Sequence, residues 1–244
     1  MPMPVPMPMR VRVRRVSRLT LPLVVASLAA ACGPRSLAVL GPVGDPEGAA
    51  VELRDQTGLE SPLRIVFEWQ LNDGGQRVEG RGVARVEPPY KARLDLFLDN
   101  GETVVTAALV DGELRLPPGS PDDILPPPDL MWGALGIFRP QGDTRLLGAD
   151  RLEGEAVRLR YGYSDADGEG REIHYSVVAG VLSSLELLDG GHVVQRVDVG
   201  PERAARYPVE ATYRNLAEFR ELRLVRESLD VVGAFDPDIW DPAE

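Results

Sequence analysis

Apolar and polar residues alternate with a period of two along most of the chain after residue 62, which is the pattern of half-buried β-strands. The run Arg64–Gln70 places Ile65, Phe67 and Trp69 on one face. Turn signals separate such runs, among them Asp73-Gly74-Gly75 and Asn100-Gly101. The pattern predicts a mainly β protein with an antiparallel sheet of about eleven strands, curled into a half-open barrel that leaves few strand edges exposed.

Two segments depart from this alternation. Asp45-Pro46-Glu47 combines an N-cap residue, a first-turn proline and an acid near the positive helix end, and predicts a short N-terminal helix over Pro46–Thr57. Ile124–Phe138 holds three consecutive prolines followed by Asp129, which is predicted to cap a helix that is apolar on every side. Such a helix must be buried or cover an apolar opening, so we expect it to be a plug or lid on the sheet.

Residues 1–31 have the three regions of a signal peptide. Five arginines and no acid precede an apolar stretch, Leu19–Ala31. That stretch is too short to span a bilayer, which needs about 20 residues, and it ends in the small residues Ala29-Ala30-Ala31. We therefore expect the protein to be exported.

Cys32, the only cysteine, directly follows the predicted cleavage site. The sequence LAAAC-G resembles the lipobox of bacterial lipoproteins, which implies acylation of Cys32 and a lipid anchor in the cell envelope. The alternative is ordinary cleavage that leaves a free thiol. Gly33 occupies the position where an aspartate would resemble an inner-membrane retention signal, so we expect the periplasmic face of the outer membrane.

The charge of the chain limits its partners. The sequence has 27 Lys and Arg against 38 Asp and Glu, and removal of the predicted signal peptide makes the balance more acidic. An acidic protein is a poor ligand for nucleic acid or for anionic lipid headgroups. We predict a lipidated cysteine and tether in residues 32–45, one β domain in residues 46–232, and an acidic tail in residues 233–244.

No pattern of catalytic or metal-binding residues is present. The sequence has neither a G-x-S-x-G motif nor a phosphate-binding glycine loop, and His174 and His192 have no metal-ligand spacing. Asp165–Gly170 mimics the first half of an EF-hand loop, but the twelfth position is Ser176, so we interpret it as a solvated hairpin loop. We expect no enzyme activity, no cofactor and no metal, and a monomeric protein.

A family resemblance covers most of the predicted domain. Gly82–Leu116 reads GVARVEPPYKARLDLFLDNGETVVTAALVDGELRL. This is similar to the LolA and LolB lipoprotein carrier and receptor family, in which an apolar strand, a proline turn and an Arg-Leu-x-Leu strand follow each other. Leu125, Pro126, Leu130, Trp132 and Gly133 resemble the helical insert of that family. The resemblance implies an incompletely closed barrel with helices over an apolar cavity that takes the acyl chains of lipoproteins.

Two functions remain open at this point. The first is a membrane-anchored protein that binds acyl chains or lipidated proteins in an apolar cavity, with a role in lipoprotein localisation. The second is a scaffolding lipoprotein with a filled core and protein partners. Under the first, the candidate cavity and lid residues are Trp69, Leu94, Leu96, Leu98, Leu130, Trp132, Leu135 and Phe138. Under the second, these residues are permanently packed core.

Overall fold

A computed structural model describes residues 37–121, 124–142, 144–163, 170–200 and 206–242. The predicted signal peptide, Cys32 and most of the loop at residues 165–170 lie outside the described residues. In the described part of the chain, the helices are α1 (Pro46–Thr57), α2 (Pro128–Ala134) and a C-terminal 3₁₀ helix (Pro237–Trp240). The strands are β1 (Val39–Pro42), β2 (Leu63–Asp73), β3 (Gln76–Glu87), β4 (Lys91–Leu98), β5 (Thr103–Val110), β6 (Glu113–Arg115), β7 (Thr144–Leu152), β8 (Ala156–Tyr163), β9 (Arg171–Val178), β10 (Val181–Asp189), β11 (His192–Gly200), β12 (Glu210–Asn215) and β13 (Arg220–Val231).

The described strands form one thirteen-stranded sheet in the order β1-β7-β8-β9-β10-β11-β12-β13-β2-β3-β4-β5-β6. Every neighbouring pair is antiparallel, and most neighbours are consecutive in the chain. The order is that of a meander whose two halves are joined by the β13–β2 pair. Strands β1 and β6 are left at the two edges.

The sheet curls around α2. In that helix, Gly133 lies against Leu185 of β10, whereas the ring of its neighbour Trp132 lies 6.0 Å from the ring of Tyr90, between β3 and β4. Strands β10 and β3 are five places apart in the sheet, and a flat sheet would separate them by about 24 Å. Two adjacent helical residues reach both only because the sheet bends back on itself, so the predicted half-open, curled architecture is confirmed.

Helix α1 forms where the sequence predicts it. The Asp45 carboxylate accepts a hydrogen bond of 2.8 Å from the Gly48 amide, and Pro46 occupies the first turn. Ala50, Leu53 and Thr57 are its buried residues. The helix packs against β7 and β10 and covers one part of the apolar face of the sheet.

The strand count differs from the prediction. The sheet has thirteen strands in the described residues, whereas the alternation of apolar and polar residues predicts about eleven. One strand that the alternation did not predict is β1, which lies within the segment predicted as tether. The Glu153 amide donates to the Ala38 carbonyl at 3.0 Å, and the Val43 amide donates to the Ala149 carbonyl at 2.8 Å. The hydrogen-bond partners of β1 lie on or beside β7, more than 100 residues away in sequence, so short-range sequence patterns do not predict this strand.

The C-terminal tail is also more ordered than the prediction of a solvated acidic segment. Trp240 is only 4% exposed and packs with Ala108 and Val110 on the face of the sheet opposite the main core. Arg93 donates a hydrogen bond of 2.8 Å to the carbonyl of Ile239. The aromatic and aliphatic residues of the tail find an apolar patch on β5, and this burial offsets the cost of ordering the chain.

None of the described helices is long and apolar enough to cross a membrane.

Candidate functional site

Helix α2 is the centre of the apolar interior. It has seven residues, and its N-cap is Pro127, which offers no side-chain hydrogen bond. Six of the seven residues are buried. The prediction that this helix is buried is therefore confirmed, but the prediction that Asp129 caps the helix is wrong, because Asp129 lies inside the first turn and its carboxylate accepts hydrogen bonds from other partners.

The Asp129 carboxylate is buried and hydrogen-bonded from three directions. Asp129 is 4% exposed. Oδ2 accepts a hydrogen bond of 2.9 Å from the Tyr163 hydroxyl. Oδ1 accepts hydrogen bonds of 3.2 Å from the Tyr175 hydroxyl and from the backbone N–H of Gln141. Burial, reinforced by the nearby carboxylate, raises the pKa of Tyr175 well above its ordinary value. Tyr175 is therefore a neutral hydrogen-bond donor that ties α2 to β9.

The middle of α2 is held by aromatic packing. Trp132 is fully buried, and its ring meets the ring of Tyr90 edge-on, with the planes at 78°. The guanidinium of Arg139 lies 4.1 Å from the centroid of the Tyr90 ring and 5.3 Å from that of Trp132. Burial lowers the pKa of Arg139 from its ordinary value. Nε1 of Trp132 is buried and finds no hydrogen-bond partner among the described residues.

The segment after α2 is fixed to α1 and to two tyrosines. The Phe138 amide donates a hydrogen bond of 3.0 Å to the hydroxyl of Thr57 at the end of α1. The Phe138 ring lies 4.8 Å from the ring of Tyr175 and 6.0 Å from that of Tyr161, both in edge-to-face geometry. Phe138 therefore joins α1, β8 and β9 in one packed unit.

Glycine permits α2 to approach the sheet closely. A Cβ on Gly133 would lie 2.4 Å from a methyl carbon of Leu185, which is far inside van der Waals contact. Gly136, which follows the helix, has a φ of 80°, a conformation that strongly favours glycine. Gly133 therefore allows the helix backbone to contact the sheet, and Gly136 allows the chain to turn after the helix.

Two small apolar cavities lie at the C-terminal end of α2. One has a volume of about 20 Å³ and the other about 40 Å³. Neither is large enough for an acyl chain, because ligand pockets usually begin near 300 Å³. The residues common to both walls are Leu94, Ala134, Leu135, Ala211 and Leu224. Leu135 is thus shared by two voids that lie on one continuous apolar surface.

A larger depression of about 740 Å³ includes Trp69, Phe97 and Leu98. Most of its other residues are charged, and its lining includes none of the α2 residues. Each of its three arginines pairs with a glutamate, in the pairs Arg77–Glu79, Arg81–Glu227 and Arg223–Glu210. More than half of its surface is polar, whereas the surfaces of the two cavities beside α2 are almost entirely apolar, so the interior next to α2 is the better candidate site for an acyl chain.

The eight candidate residues from the sequence divide into three groups. Leu94 and Leu135 line the small cavities. Trp69, Leu96, Leu130, Trp132 and Phe138 are almost fully buried in the main core. Leu98 packs at the margin of the core and, together with Trp69, borders the larger depression. The assignment of these residues to a ligand stays a prediction.

Sequence reasoning missed the polar contacts of the site and much of the wall of its cavities. Tyr163 donates a hydrogen bond to Asp129, and Thr57 accepts one from the Phe138 amide, but no sequence pattern marks either residue as a contact of α2. Ala84, Ala92 and Ala211 line the space beside α2. The usable signal was the acid inside an otherwise apolar helix, since a buried carboxylate requires partners.

The buried His174 does not face this interior, because it is next to Tyr175 on β9 and successive side chains of a strand point to opposite faces of the sheet. His174 is 7% exposed, lies on β9, and its Nε2 is 2.7 Å from Oε2 of Glu172. Burial lowers the pKa of His174, although the contact with Glu172 opposes that shift. The described residues contain no group of three His, Cys, Asp or Glu side chains that could hold a metal ion.

The comparisons with known proteins give structural matches only. No family model matches the chain, and no curated protein matches it. A LolA superfamily protein from Nitrosomonas europaea aligns with a TM-score of 0.55 and 9% identity, over 79% of this chain and 96% of that chain. A domain from Vibrio parahaemolyticus, described as an outer membrane lipoprotein-sorting protein, aligns with a TM-score of 0.50 and 10% identity, over 80% and 97%. Likeness at such identities concerns the fold, and the protein has a LolA/LolB-like fold.

Proposed function

We propose that this protein is a lipid-anchored protein of the cell envelope that binds an acyl chain, of a lipid or of a lipidated protein, in the apolar space that α2 now fills. The observation that carries the proposal is the pair of cavities that share Leu135. Outward movement of Leu135 would join them into one apolar channel between β4 and β12. In this proposal α2 is the lid, and its position in the structure is the closed one.

Several features make the closed position of α2 less than ideal. Nε1 of Trp132 and Nε2 of Gln141 are buried and lack hydrogen-bond partners within the described ranges. An unsatisfied buried donor costs about 1–3 kcal/mol. The helix has no side-chain cap. An acyl chain that replaced the apolar contacts of α2 would let these donors reach water, which favours exchange of the lid for the ligand.

The comparisons and the sequence support the same function. One structural neighbour belongs to the LolA superfamily and the other is described as a lipoprotein-sorting protein. An envelope location is consistent with both neighbours, with the predicted signal peptide and with the lipobox-like sequence at Cys32. The periplasmic face of the outer membrane remains our expectation for the anchored protein.

The second candidate is a scaffold with a filled core and protein partners. It is favoured by the three hydrogen bonds to Asp129 and by the complete burial of Trp132, which describe a fixed plug. It is also favoured by the small volume of both cavities. A fixed plug would leave only the outer surface for binding.

A fluorescent fatty acid separates the two candidates. We expect lipid-free protein to bind it saturably, and Leu135→Trp to weaken binding at least about tenfold by filling the junction of the cavities. Leu216→Trp is the matched control, because Leu216 is 45% exposed and lines neither cavity. Absence of saturable binding, together with no lipid retained in native mass spectrometry, would reject the carrier and leave the scaffold.

A further inference from the structure

The first described residues carry an unusual amount of exposed apolar surface. Leu37, Val39 and Leu40 are 39%, 53% and 65% exposed. They belong to or adjoin β1, which is an edge strand whose outer side has no partner strand among the described residues. An exposed apolar edge invites association, and proteins normally shorten, charge or cover it. The β1 edge is short but uncharged, so a covering surface is expected.

The length of chain before β1 limits what can cover it. Only four residues, 33–36, lie between Cys32 and Leu37. A fully extended chain spans at most about 3.6 Å per residue, so Leu37 stays within about 18 Å of Cys32. The acyl chains of a lipidated cysteine enter the bilayer, and its backbone lies at the headgroup level. Leu37, the residue next to β1, is therefore held within about 18 Å of the headgroup level whatever path the four residues take.

We propose that the β1 edge, residues 37–42, lies on the membrane surface, with Leu37, Val39 and Leu40 in the interfacial region of the bilayer. This inference rests on the proposed lipid anchor at Cys32. Arg151, paired with Gly41 in the sheet, is exposed and available to lipid phosphates, whereas Glu153 on the following turn is acidic. The contact is thus mainly apolar and suits a zwitterionic surface better than an anionic one.

The contact fixes the orientation of the domain. The Ala38 carbonyl is bonded to the Glu153 amide, so β1 begins at the end of the sheet that holds the β7–β8 turn. The antiparallel register puts the β12–β13 turn, which carries Phe219, at the opposite end. A strand of nine residues such as β7 spans about 30 Å. Phe219, although 85% exposed, is held away from the anchored membrane.

The test uses the full-length acylated protein in phosphatidylcholine vesicles. Because Cys32 is the only cysteine and is acylated under the proposal, Ala38→Cys introduces a single free thiol for an environment-sensitive fluorophore. Phe219→Cys is the matched control at the other end of the sheet. We expect spin-labelled phosphatidylcholine to quench the label at position 38 at least about threefold more than the label at position 219. Replacing Leu37 and Leu40 by Asn in the Ala38→Cys protein should remove most of that difference.

The outcomes distinguish the proposed membrane contact of the β1 edge from the proposed lipid anchor at Cys32. Vesicle flotation and intact mass report acylation, and protein that floats with both labels equally unquenched would overturn the membrane contact alone. Protein that fails to float would overturn both. Efficient disulfide formation between two copies of the Ala38→Cys protein, without quenching, would show that a second copy covers the edge and would also overturn the proposal.

Discussion

At the scale of single residues, two buried tryptophans of the same core differ in one respect. Trp69 is 2% exposed and Trp132 is 0% exposed. Nε1 of Trp69 donates to the carbonyls of Arg81 and Phe97 at 3.0 and 3.1 Å, whereas Nε1 of Trp132 has no partner in the described part of the chain. The indole of Trp69 is thus matched to its site, and that of Trp132 is not.

This difference predicts unequal effects of the same substitution. Trp69→Phe and Trp132→Phe both reduce ring volume, but only the first leaves two carbonyls without their donor. We expect Trp69→Phe to lower the free energy of unfolding by about 1–2 kcal/mol more than Trp132→Phe, as measured by urea denaturation. Equal losses would mean that Nε1 of Trp132 is hydrogen-bonded in solution.

His174 predicts a pH dependence of stability. Burial lowers its pKa below the ordinary 6.5 in the folded protein, so the unfolded chain takes up a proton first as the pH falls. The contribution is fully present above pH 6.5 and is lost progressively below it, with a slope of at most about 1.4 kcal/mol per pH unit. His174→Asn should flatten the decline of unfolding free energy below pH 6.5, relative to the native protein. His192→Asn is the control, because His192 is exposed, and an equal flattening by that variant would contradict the assignment.

At the scale of elements, hydrogen bonds hold α2 and the segment after it in place, while its centre packs very closely against the sheet. Three hydrogen bonds to Asp129 and one from the Phe138 amide fix its two ends. The middle of the helix touches the sheet through Gly133, where no side chain separates the backbone from Leu185. The element can therefore be perturbed at its centre while its ends stay intact.

Gly133→Ala tests the close approach of α2. The new methyl group would overlap Leu185 of β10, and overpacking of this kind costs about 1–3 kcal/mol. We expect a lower thermal midpoint and, if α2 is a lid, tighter binding of a fluorescent fatty acid, because the closed state is the one that is strained. Gly142→Ala is the matched control, since a Cβ there meets nothing within 4 Å. An unchanged thermal midpoint for Gly133→Ala would show that α2 does not pack as described.

At the scale of the whole molecule, both faces of the sheet carry apolar contacts. The main core fills the inner face, and a second cluster around Trp240 joins the C-terminal tail to the outer face of β5. The tail crosses the sheet near its β6 edge. The molecule thus stabilises one edge region by its own C-terminal segment, whereas β1, at the other edge, exposes Val39 and Leu40.

Removal of the Trp240 side chain tests the contribution of the tail. Trp240→Ala is expected to lower the free energy of unfolding by about 2 kcal/mol, the scale for one buried aromatic side chain. Phe219→Ala removes an aromatic ring that is 85% exposed and should change it by less than about 0.5 kcal/mol. Chemical denaturation of both variants gives the comparison, and indistinguishable stabilities would mean that the tail is not docked in solution.

The sequence by itself determined the local structure. Period-two alternation, the Asn-Gly and Asp-Gly turns and the Asp45 cap are short-range signals, and they placed α1, nearly all strands and the antiparallel order within a few residues. They also identified α2 as buried, because an all-apolar helix has no solvated face. The fold class followed from these elements.

Only the tertiary structure decided which distant residues meet. Strand β1 depends on the edge of β7, Trp240 depends on the patch at Ala108 and Val110, and the Asp129 carboxylate depends on tyrosines more than thirty residues away. The cavities beside Leu135 are volumes left by packing. Contacts of this kind arise from the curl of the sheet, which brings together residues that no local period connects, and so the packing of α2 could be read only from the folded protein.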